Sequence, residues 1–282
     1  MSTDEAMRRI QEALEQGATE LDLNDCNLRT LPESIGNLTQ LQKLDLSYNY
    51  HLQSLPDSFG HLTQLRELSL RANYFRDYPE SIQTLTQLRE LDLRENQLQN
   101  LPESVGRFTQ LTTLALSTNR LQHLPESLGN LTRLQTLWLG ENQFEGVPEW
   151  LGNLVQLKML DLSDSQLQHI PQWLTNLTQL QELILEKNSL QSLPENIDSL
   201  AQLKFLYLES NRLQYVPESL GNLTQLQELD LSNNRLQTLP NSIANLTQLR
   251  RLDVSDNPLT ALPAGLRVEE LHTEGCPHLR LP

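Results

Sequence analysis

Apolar and polar positions follow one pattern that recurs every 23 residues along most of the chain. Residues 226–248 show it in full: LQELDLSNNRLQTLPNSIANLTQ has Leu at places 1, 4, 6, 11 and 14, Asn at place 9 and Pro at place 15. The alternation over the first six places predicts a strand with one buried face. Asn234 then turns the chain, and Pro240 excludes a regular strand, so a loop with a short helical or 3₁₀ turn is predicted beyond it.

One such unit cannot be stable alone, because the few apolar side chains it buries do not offset the entropy lost in ordering its backbone. Neighbouring units must cover each leucine row and pair with each strand. The Asn at place 9 fits this arrangement, since its amide can bond backbone groups exposed where the chain bends. The repeats are therefore predicted to stack into a solenoid.

The unit resembles the leucine-rich repeat (LRR) family, whose consensus LxxLxLxxNxLxxLPxxIxxLxx is matched in unit after unit from Ala18 onwards. The resemblance implies an α/β solenoid: a curved horseshoe with a concave parallel β-sheet and convex 3₁₀ or short helical turns. The recurring LPESIGNLTQLQ is similar to the 23-residue class of bacterial and intracellular members.

The order of the chain predicts three regions. Residues 1–17 are predicted to form an N-terminal capping helix, with Ser2 and Glu5 as a capping box. Met7, Ile10, Ala13 and Leu14 would form the stripe that covers the first repeat; the alternative is a partner-binding helix. Residues 18–267 hold about eleven repeats, and residues 268–282 are a truncated final repeat or C-terminal cap. The ending also suits a boundary before a further domain.

Three repeats depart from the common interior pattern. Residues 41–64 contain one extra residue, which predicts a bulge beside Tyr50 and His51. Cys26 and Ser165 replace Asn at place 9. Both replacements are interpreted as structural.

Composition narrows the function. The net charge of −15, from 21 basic and 36 acidic residues, argues against nucleic acid or anionic membrane as partners. The polar N-terminus does not resemble a secretion signal, and the two cysteines lie too far apart to bridge, so a reducing, cytoplasmic location is expected. Delivery to a host cell by a non-classical or type III route stays open. The sequence lacks the common catalytic and metal-binding motifs, so neither enzyme activity nor a cofactor is predicted.

The repeats serve as controls for one another at places 3 and 5, which point to the predicted concave face and usually hold Glu and Asp. In the middle of the array these places become apolar or small. We expect one apolar patch ringed by acidic residues, and such patches commonly mark interaction sites. The predicted partner-binding residues are Thr113, Ala115, Thr136, Trp138, Met159, Ile184, Phe205 and Tyr207.

A second group of aromatic and basic residues follows the predicted bulge, and it could either take an acidic partner segment or pack locally. These secondary candidates are Tyr48, Tyr50, Arg71, Tyr74 and Arg94. On the convex side Trp150 and Trp173 occupy one place in neighbouring repeats, where they would pack together or form a dimer contact.

These observations favour a non-catalytic protein–protein interaction module that binds a protein or peptide with basic and apolar features on its concave face. A monomer is assumed. One alternative is the recognition region of a larger bacterial protein, such as a ubiquitin-ligase type effector or a Roco-type GTPase. The other is a carbohydrate or small-ligand receptor, which would need a closed pocket with converging polar groups.

Overall fold

The computed structural model describes residues 3–279 and divides the chain into two compact units, Met1–Gln143 and Phe144–Pro282. The predicted N-terminal helix is present as α1 (Thr3–Gln16). Ala6, Ile10 and Ala13 form its buried face, whereas Met7 is 43% exposed, so the predicted stripe was wrong at that residue. Ser2, the first member of the predicted capping box, lies outside the described residues.

Twelve short parallel strands occupy the start of successive repeats within residues 3–279, and the strands of each unit pair in sequence order. In the first unit they are β1 (Glu20–Asp22), β2 (Lys43–Asp45), β3 (Glu67–Ser69), β4 (Glu90–Asp92), β5 (Thr113–Ala115) and β6 (Thr136–Trp138). In the second unit they are β7 (Met159–Asp161), β8 (Glu182–Ile184), β9 (Phe205–Tyr207), β10 (Glu228–Asp230), β11 (Arg251–Asp253) and β12 (Glu270–His272).

The second half of the repeat forms the predicted 3₁₀ turn. Nearly every turn follows a proline in extended conformation, because the proline ring fixes φ and cannot continue a strand. In the first unit the turns are Glu33–Asn37, Asp57–His61, Glu80–Thr84, Glu103–Arg107 and Glu126–Asn130. In the second they are Glu149–Asn153, Gln172–Asn176, Ile197–Ser199, Glu218–Asn222 and Asn241–Asn245.

The Asn at place 9 forms a hydrogen-bonded ladder inside the coils, as predicted. Asn119 shows the arrangement: its Nδ2 donates to the carbonyls of Leu93 and Leu116 at 2.9 Å each, and its Oδ1 accepts from the N–H of Leu98 at 3.0 Å. Each ladder residue therefore joins its own coil to the preceding one. Because these groups are buried, losing one partner leaves the others unsatisfied.

A left-handed residue at place 8 bends the chain away from the strand, and residue identity gave no indication of it. Its N–H donates to a carbonyl of the next coil, as Lys187 does to Glu209 at 2.9 Å, and this bond compensates part of the conformational cost. The residues concerned have φ between 45° and 58°: Asp25, Tyr48, Ala72, Glu95, Thr118, Glu141, Asp164, Lys187, Ser210, Asn233 and Asp256.

The coils without a ladder Asn use a different backbone. Asn27 and Gln166, which follow Cys26 and Ser165, take a second left-handed conformation. This turns the N–H of Cys26 to the Oδ1 of Asn49 in the next coil at 3.1 Å. Ser165 N–H bonds the next ladder Asn at the same distance of 3.1 Å. Both replacements are thus accommodated by the fold.

The extra residue of repeat 41–64 disturbs the ladder. The N–H of Leu52 turns back to the carbonyl of Asn49 at 2.8 Å, although the corresponding N–H elsewhere donates to the next ladder Asn. The Oδ1 of Asn73 is consequently buried without a hydrogen-bond partner. The predicted bulge is therefore present and leaves one unsatisfied acceptor.

Candidate functional site

The candidate site lies on the face of the sheet formed by side chains at places 3 and 5, here called the sheet face. The Leu at place 4 points the other way and is buried in almost every strand, because successive side chains of a strand alternate sides. The sheet face is described separately for the two units.

In the first unit, Trp138 at the end of β6 is covered by the protein's own cation. The guanidinium carbon of Arg94 lies 5.5 Å from the ring centroid. Arg94 also pairs with Asp92, with its Nη2 2.7 Å from Oδ2. The strand register places Ala115 between Asp92 and Trp138, and this small side chain leaves room for the arginine to reach across.

A depression of about 260 Å³ adjoins this arginine–tryptophan contact. Its wall contains a second ion pair, in which Lys43 Nζ lies 2.7 Å from Glu67 Oε2. Arg94 and Lys43 thus both have carboxylate partners within the unit. The remaining lining residues are Leu44, Asp45, Leu68, Ser69, Glu90, Leu91, Asp92, Thr113, Ala115 and Trp138.

The secondary candidates divide into separate contacts. Tyr48 and Tyr50 meet edge to face with ring centroids 6.2 Å apart. Arg71 lies 5.4 Å from the ring centroid of Tyr48 and pairs with Glu95 at 2.5 Å. Tyr74 instead lies under Arg76, and Arg94 belongs with Trp138. Sequence reasoning missed the partners Glu95 and Arg76.

In the second unit, the middle strands place two aromatic side chains among carboxylates. Phe205 lies between Glu182 of β8 and Glu228 of β10 in the strand register. Tyr207 lies between Ile184 and Asp230. The hydroxyl of Tyr207 donates to Oε2 of Glu228 at 3.2 Å, which ties the aromatic row to the acidic one.

Burial and negative neighbours raise the pKa values of three side chains of this unit. Burial comes first for Glu182, and Glu228 and Asp161 raise its pKa further. Burial likewise raises the pKa of Glu186, and Glu209 adds to the effect. The pKa of the Tyr207 hydroxyl is also raised, mainly by burial and then by Glu228. The charged forms of these groups are therefore less favourable in the protein than they would be in water.

Two pairs involve basic side chains of the second unit: Arg251 lies 3.7 Å from Asp253, and His272 lies 4.0 Å from Glu274. Arg251 also stands beside Glu228 in the strand register. The arginine–aromatic contacts found in the described part of the chain all lie in the first unit.

The predicted contact residues are less exposed than the sequence suggested. Ala115 and Met159 are buried, at 2% and 7% exposure, and the other six are half-buried. On the side of the 3₁₀ turns, Trp173 is also only 7% exposed and its Cβ crowds Gly152, so it packs within the unit and offers little surface for a dimer contact.

The two sheet faces contain corresponding residues exactly three repeats apart, 161 − 92 = 69 residues. Asp161 corresponds to Asp92, and Tyr207 corresponds to Trp138. The arginine does not recur, because Ser163 stands at the place of Arg94 and Ile184 replaces Ala115. A comparison of the repeats reveals the missing arginine only when side chains two strands apart are considered together.

Comparison with known proteins establishes the family. A model of the leucine-rich repeat region matches residues 59–145, 148–230 and 192–272, and a second leucine-rich repeat model matches residues 16–75. The chain belongs to the leucine-rich repeat family. Domains of this family are generally non-catalytic modules for protein interaction. The 23-residue class stays a prediction.

Several solved structures are similar to the chain. A leucine-rich repeat protein of Leptospira interrogans has 28% identity and a TM-score of 0.62, over 88% of this chain and 93% of that one. The ectodomain of the Arabidopsis thaliana receptor kinase GASSHO1/SCHENGEN3, in complex with CASPARIAN STRIP INTEGRITY FACTOR 2, has 34% identity and a TM-score of 0.78 over 91% of this chain. The Arabidopsis receptor kinase HAESA, in complex with the peptide hormone IDA and a co-receptor, has 31% identity and a TM-score of 0.77 over 88% of this chain.

The matched region is only part of the two plant proteins, since the chain covers 33% and 48% of their lengths. Curated protein sequences gave no significant match. Within residues 3–279, no helix has both the length and the apolar character needed to cross a membrane. The same residues contain no group of three His, Cys, Asp or Glu side chains placed to hold a metal ion.

Proposed function

We propose that the chain is a non-catalytic binding module whose sheet face takes a protein or peptide partner with basic and apolar features. The observation that carries this proposal is the row of Ile184, Phe205 and Tyr207 beside Glu182 and Glu228. Half-buried aromatic and aliphatic side chains supply contact area, and the carboxylates favour a partner of opposite charge.

The similar structures support a peptide or protein as the kind of partner. GASSHO1/SCHENGEN3 and HAESA are both seen in complex with a peptide or protein factor. The particular ligands belong to those receptors, and only their class, a peptide or protein, enters the proposal for this chain.

The experiment is a peptide-display selection on the immobilised chain, followed by affinity measurements with the enriched peptides. Phe205→Ala should weaken binding by about 2 kcal/mol, or roughly 30-fold, as expected for a main contact. Trp138→Ala should weaken binding by less, because Arg94 already covers the Trp138 ring. Tyr215→Ala is the matched control, because Tyr215 is an aromatic residue 53% exposed and lies outside the sheet face. Thermal unfolding of each variant separates lost contacts from lost folding.

The proposal fails if no peptide is enriched, or if enriched peptides bind the sheet-face variants and the control equally well. If only Trp138→Ala lowers the peptide affinity, the site is restricted to the first unit. If only Phe205→Ala lowers the affinity, the site is restricted to the second.

The two cysteines support a reducing compartment, such as the cytoplasm. Cys26 is buried and Cys276 is half-buried, and neither forms a disulfide within residues 3–279. Alkylation of the intact protein in cells should find Cys276 reduced. Oxidised Cys276 would argue for an extracellular location, which some similar structures occupy as receptor ectodomains.

A further inference from the structure

We propose that Glu182, Glu228, Phe205 and Tyr207 form a subsite for a lysine or arginine side chain of an extended partner peptide. The inference rests on the proposed function and specifies the chemistry that its sheet face recognises. It assigns the specificity to four side chains on three adjacent strands, β8, β9 and β10.

The strand register gives the subsite its geometry. Glu182 and Glu228 flank Phe205 on either side, and neighbouring strands lie about 4.8 Å apart. A cation placed over the aromatic row is therefore within reach of a carboxylate on both sides. The bond from the Tyr207 hydroxyl to Glu228 holds one of these carboxylates beside the rings.

The first unit contains a built example of the same recognition. There, Arg94 lies 5.5 Å from the ring centroid of Trp138 and pairs with Asp92 at 2.7 Å. The corresponding places in the second unit hold Tyr207 and Asp161, but Ser163 takes the place of the arginine. The second unit thus keeps the aromatic and acidic groups but has no arginine at the place of Arg94. The basic side chain beside Glu228 in the strand register is Arg251, which pairs with Asp253 at 3.7 Å.

The carboxylates of the subsite favour a positively charged side chain. Burial and the mutual repulsion of Glu182 and Glu228 raise the pKa of Glu182, and a cation between them would relieve that repulsion. An aromatic face attracts an ammonium or guanidinium group through its π-system, whereas it offers no ligand atom to a divalent metal ion. A basic side chain on an extended segment can contact the aromatic rings and pair with the carboxylates at the same time.

The test uses small probes and the full chain. N-acetyl-L-arginine amide is titrated into protein with ¹³C-labelled aromatic side chains, and N-acetyl-L-citrulline amide serves as the uncharged probe of the same shape. The arginine probe should shift the resonances of Phe205 and Tyr207 and bind about tenfold more tightly than citrulline. Glu228→Gln and Glu182→Gln should each remove most of that preference.

Glu270→Gln is the matched control, because Glu270 stands at the same place of β12 and is exposed. It should leave the affinity for the arginine probe unchanged. Equal binding of arginine and citrulline would overturn the inference, as would loss of binding in the control variant alone.

The peptide-display selection distinguishes this failure from failure of the proposed function. Enriched peptides that need Phe205 but lack a required lysine or arginine would refute the subsite and keep the binding module. A selection without any enriched peptide would refute the proposed function, and the small-probe titration would still report on the four side chains.

Discussion

The sheet faces of the two units present similar groups in different electrostatic states. In the first unit, Arg94 lies between Trp138 and Asp92, so the aromatic ring and the carboxylate share an internal cation. In the second unit, Tyr207 and Phe205 lie among carboxylates, and Ser163 stands where the arginine would be. The same repeat frame therefore holds an arginine over an aromatic ring in the first unit and a serine at the corresponding place in the second.

This difference explains why aromatic content alone does not identify a binding face. A ring already covered by an arginine gives up less free energy to a ligand, because the internal contact must be broken first. In the second unit, burial and the nearby carboxylates Glu228 and Asp161 disfavour the charge of Glu182 and raise its pKa.

The largest expected effect is on the free energy of unfolding, and it tests whether the Asn ladder stabilises the two units equally. Asn119 and Asn211 each donate to carbonyls of two coils at 2.9 to 3.0 Å and accept one N–H at 3.0 Å. Asn119→Ala and Asn211→Ala should each lower the free energy of unfolding by about 3 kcal/mol, because several buried backbone groups lose their partner. Chemical denaturation measures both losses; a clearly smaller loss in one unit would show that the frames differ.

A smaller effect on the free energy of unfolding is expected in repeat 41–64, where the extra residue interrupts the Asn ladder. Removing His51 should restore the regular spacing of repeat 41–64 and bring the N–H of Leu52 to the unpaired Oδ1 of Asn73. One recovered buried hydrogen bond should raise the free energy of unfolding by about 1 kcal/mol. Deletion of Gln53 instead, one place beyond the bulge, is the control. A stability loss on removing His51 would contradict this account of the bulge.

Arg94→Ser sharpens the comparison from the first unit. Without the arginine, the ring of Trp138 and the carboxylate of Asp92 become free to take an external cation. The variant should bind N-acetyl-L-arginine amide at Trp138 about fivefold more tightly than the wild-type chain does at the same residue. The tryptophan resonances follow this binding. Tryptophan resonances that stay unmoved by the probe would show that the internal cation was not what kept this face closed.

The smallest effect concerns stability and pH. The raised pKa of Glu182 means that the folded protein holds this proton more tightly than the unfolded chain, so its charged form destabilises the fold above the folded pKa. Glu182→Gln should therefore stabilise the protein at pH 7.5 by less than about 1 kcal/mol. The gain should shrink as pH falls from the raised folded pKa towards the unfolded value of about 4.3, and it should vanish at lower pH, where the carboxylate is protonated in both states. Thermal unfolding at the two pH values checks this; a gain that persists at low pH would assign it to something other than charge.

The sequence predicted the features that depend on spacing within one repeat. Strands, 3₁₀ turns and the Asn ladder follow from leucine, asparagine and proline positions, and all are found. The left-handed residue at place 8 escaped prediction, because side chains as different as Tyr48 and Lys187 occupy it and the hydrogen bond to the next coil decides the backbone.

The candidate site was predicted less completely. Places 3 and 5 share one face of the strands, as the alternation of side chains requires, but the burial of Ala115 and Met159 was not foreseen. The contact of Arg94 with Trp138 joins side chains two strands apart and depends on the small residue between them. Such contacts arise from the reach of side chains across a sheet, which a repeat consensus does not encode.

The most direct test of the central claim transplants the internal cation. The double variant Ser163→Arg, Ile184→Ala gives the second unit the arginine and the small neighbouring side chain found in the first, beside Asp161 and with Tyr207 in the place of Trp138. Titration with N-acetyl-L-arginine amide should then show binding weaker by about tenfold at Phe205 and Tyr207, with thermal stability equal to or above that of the wild type. Unchanged affinity for the probe, in a variant that folds normally, would contradict the claim that this sheet face awaits a basic partner.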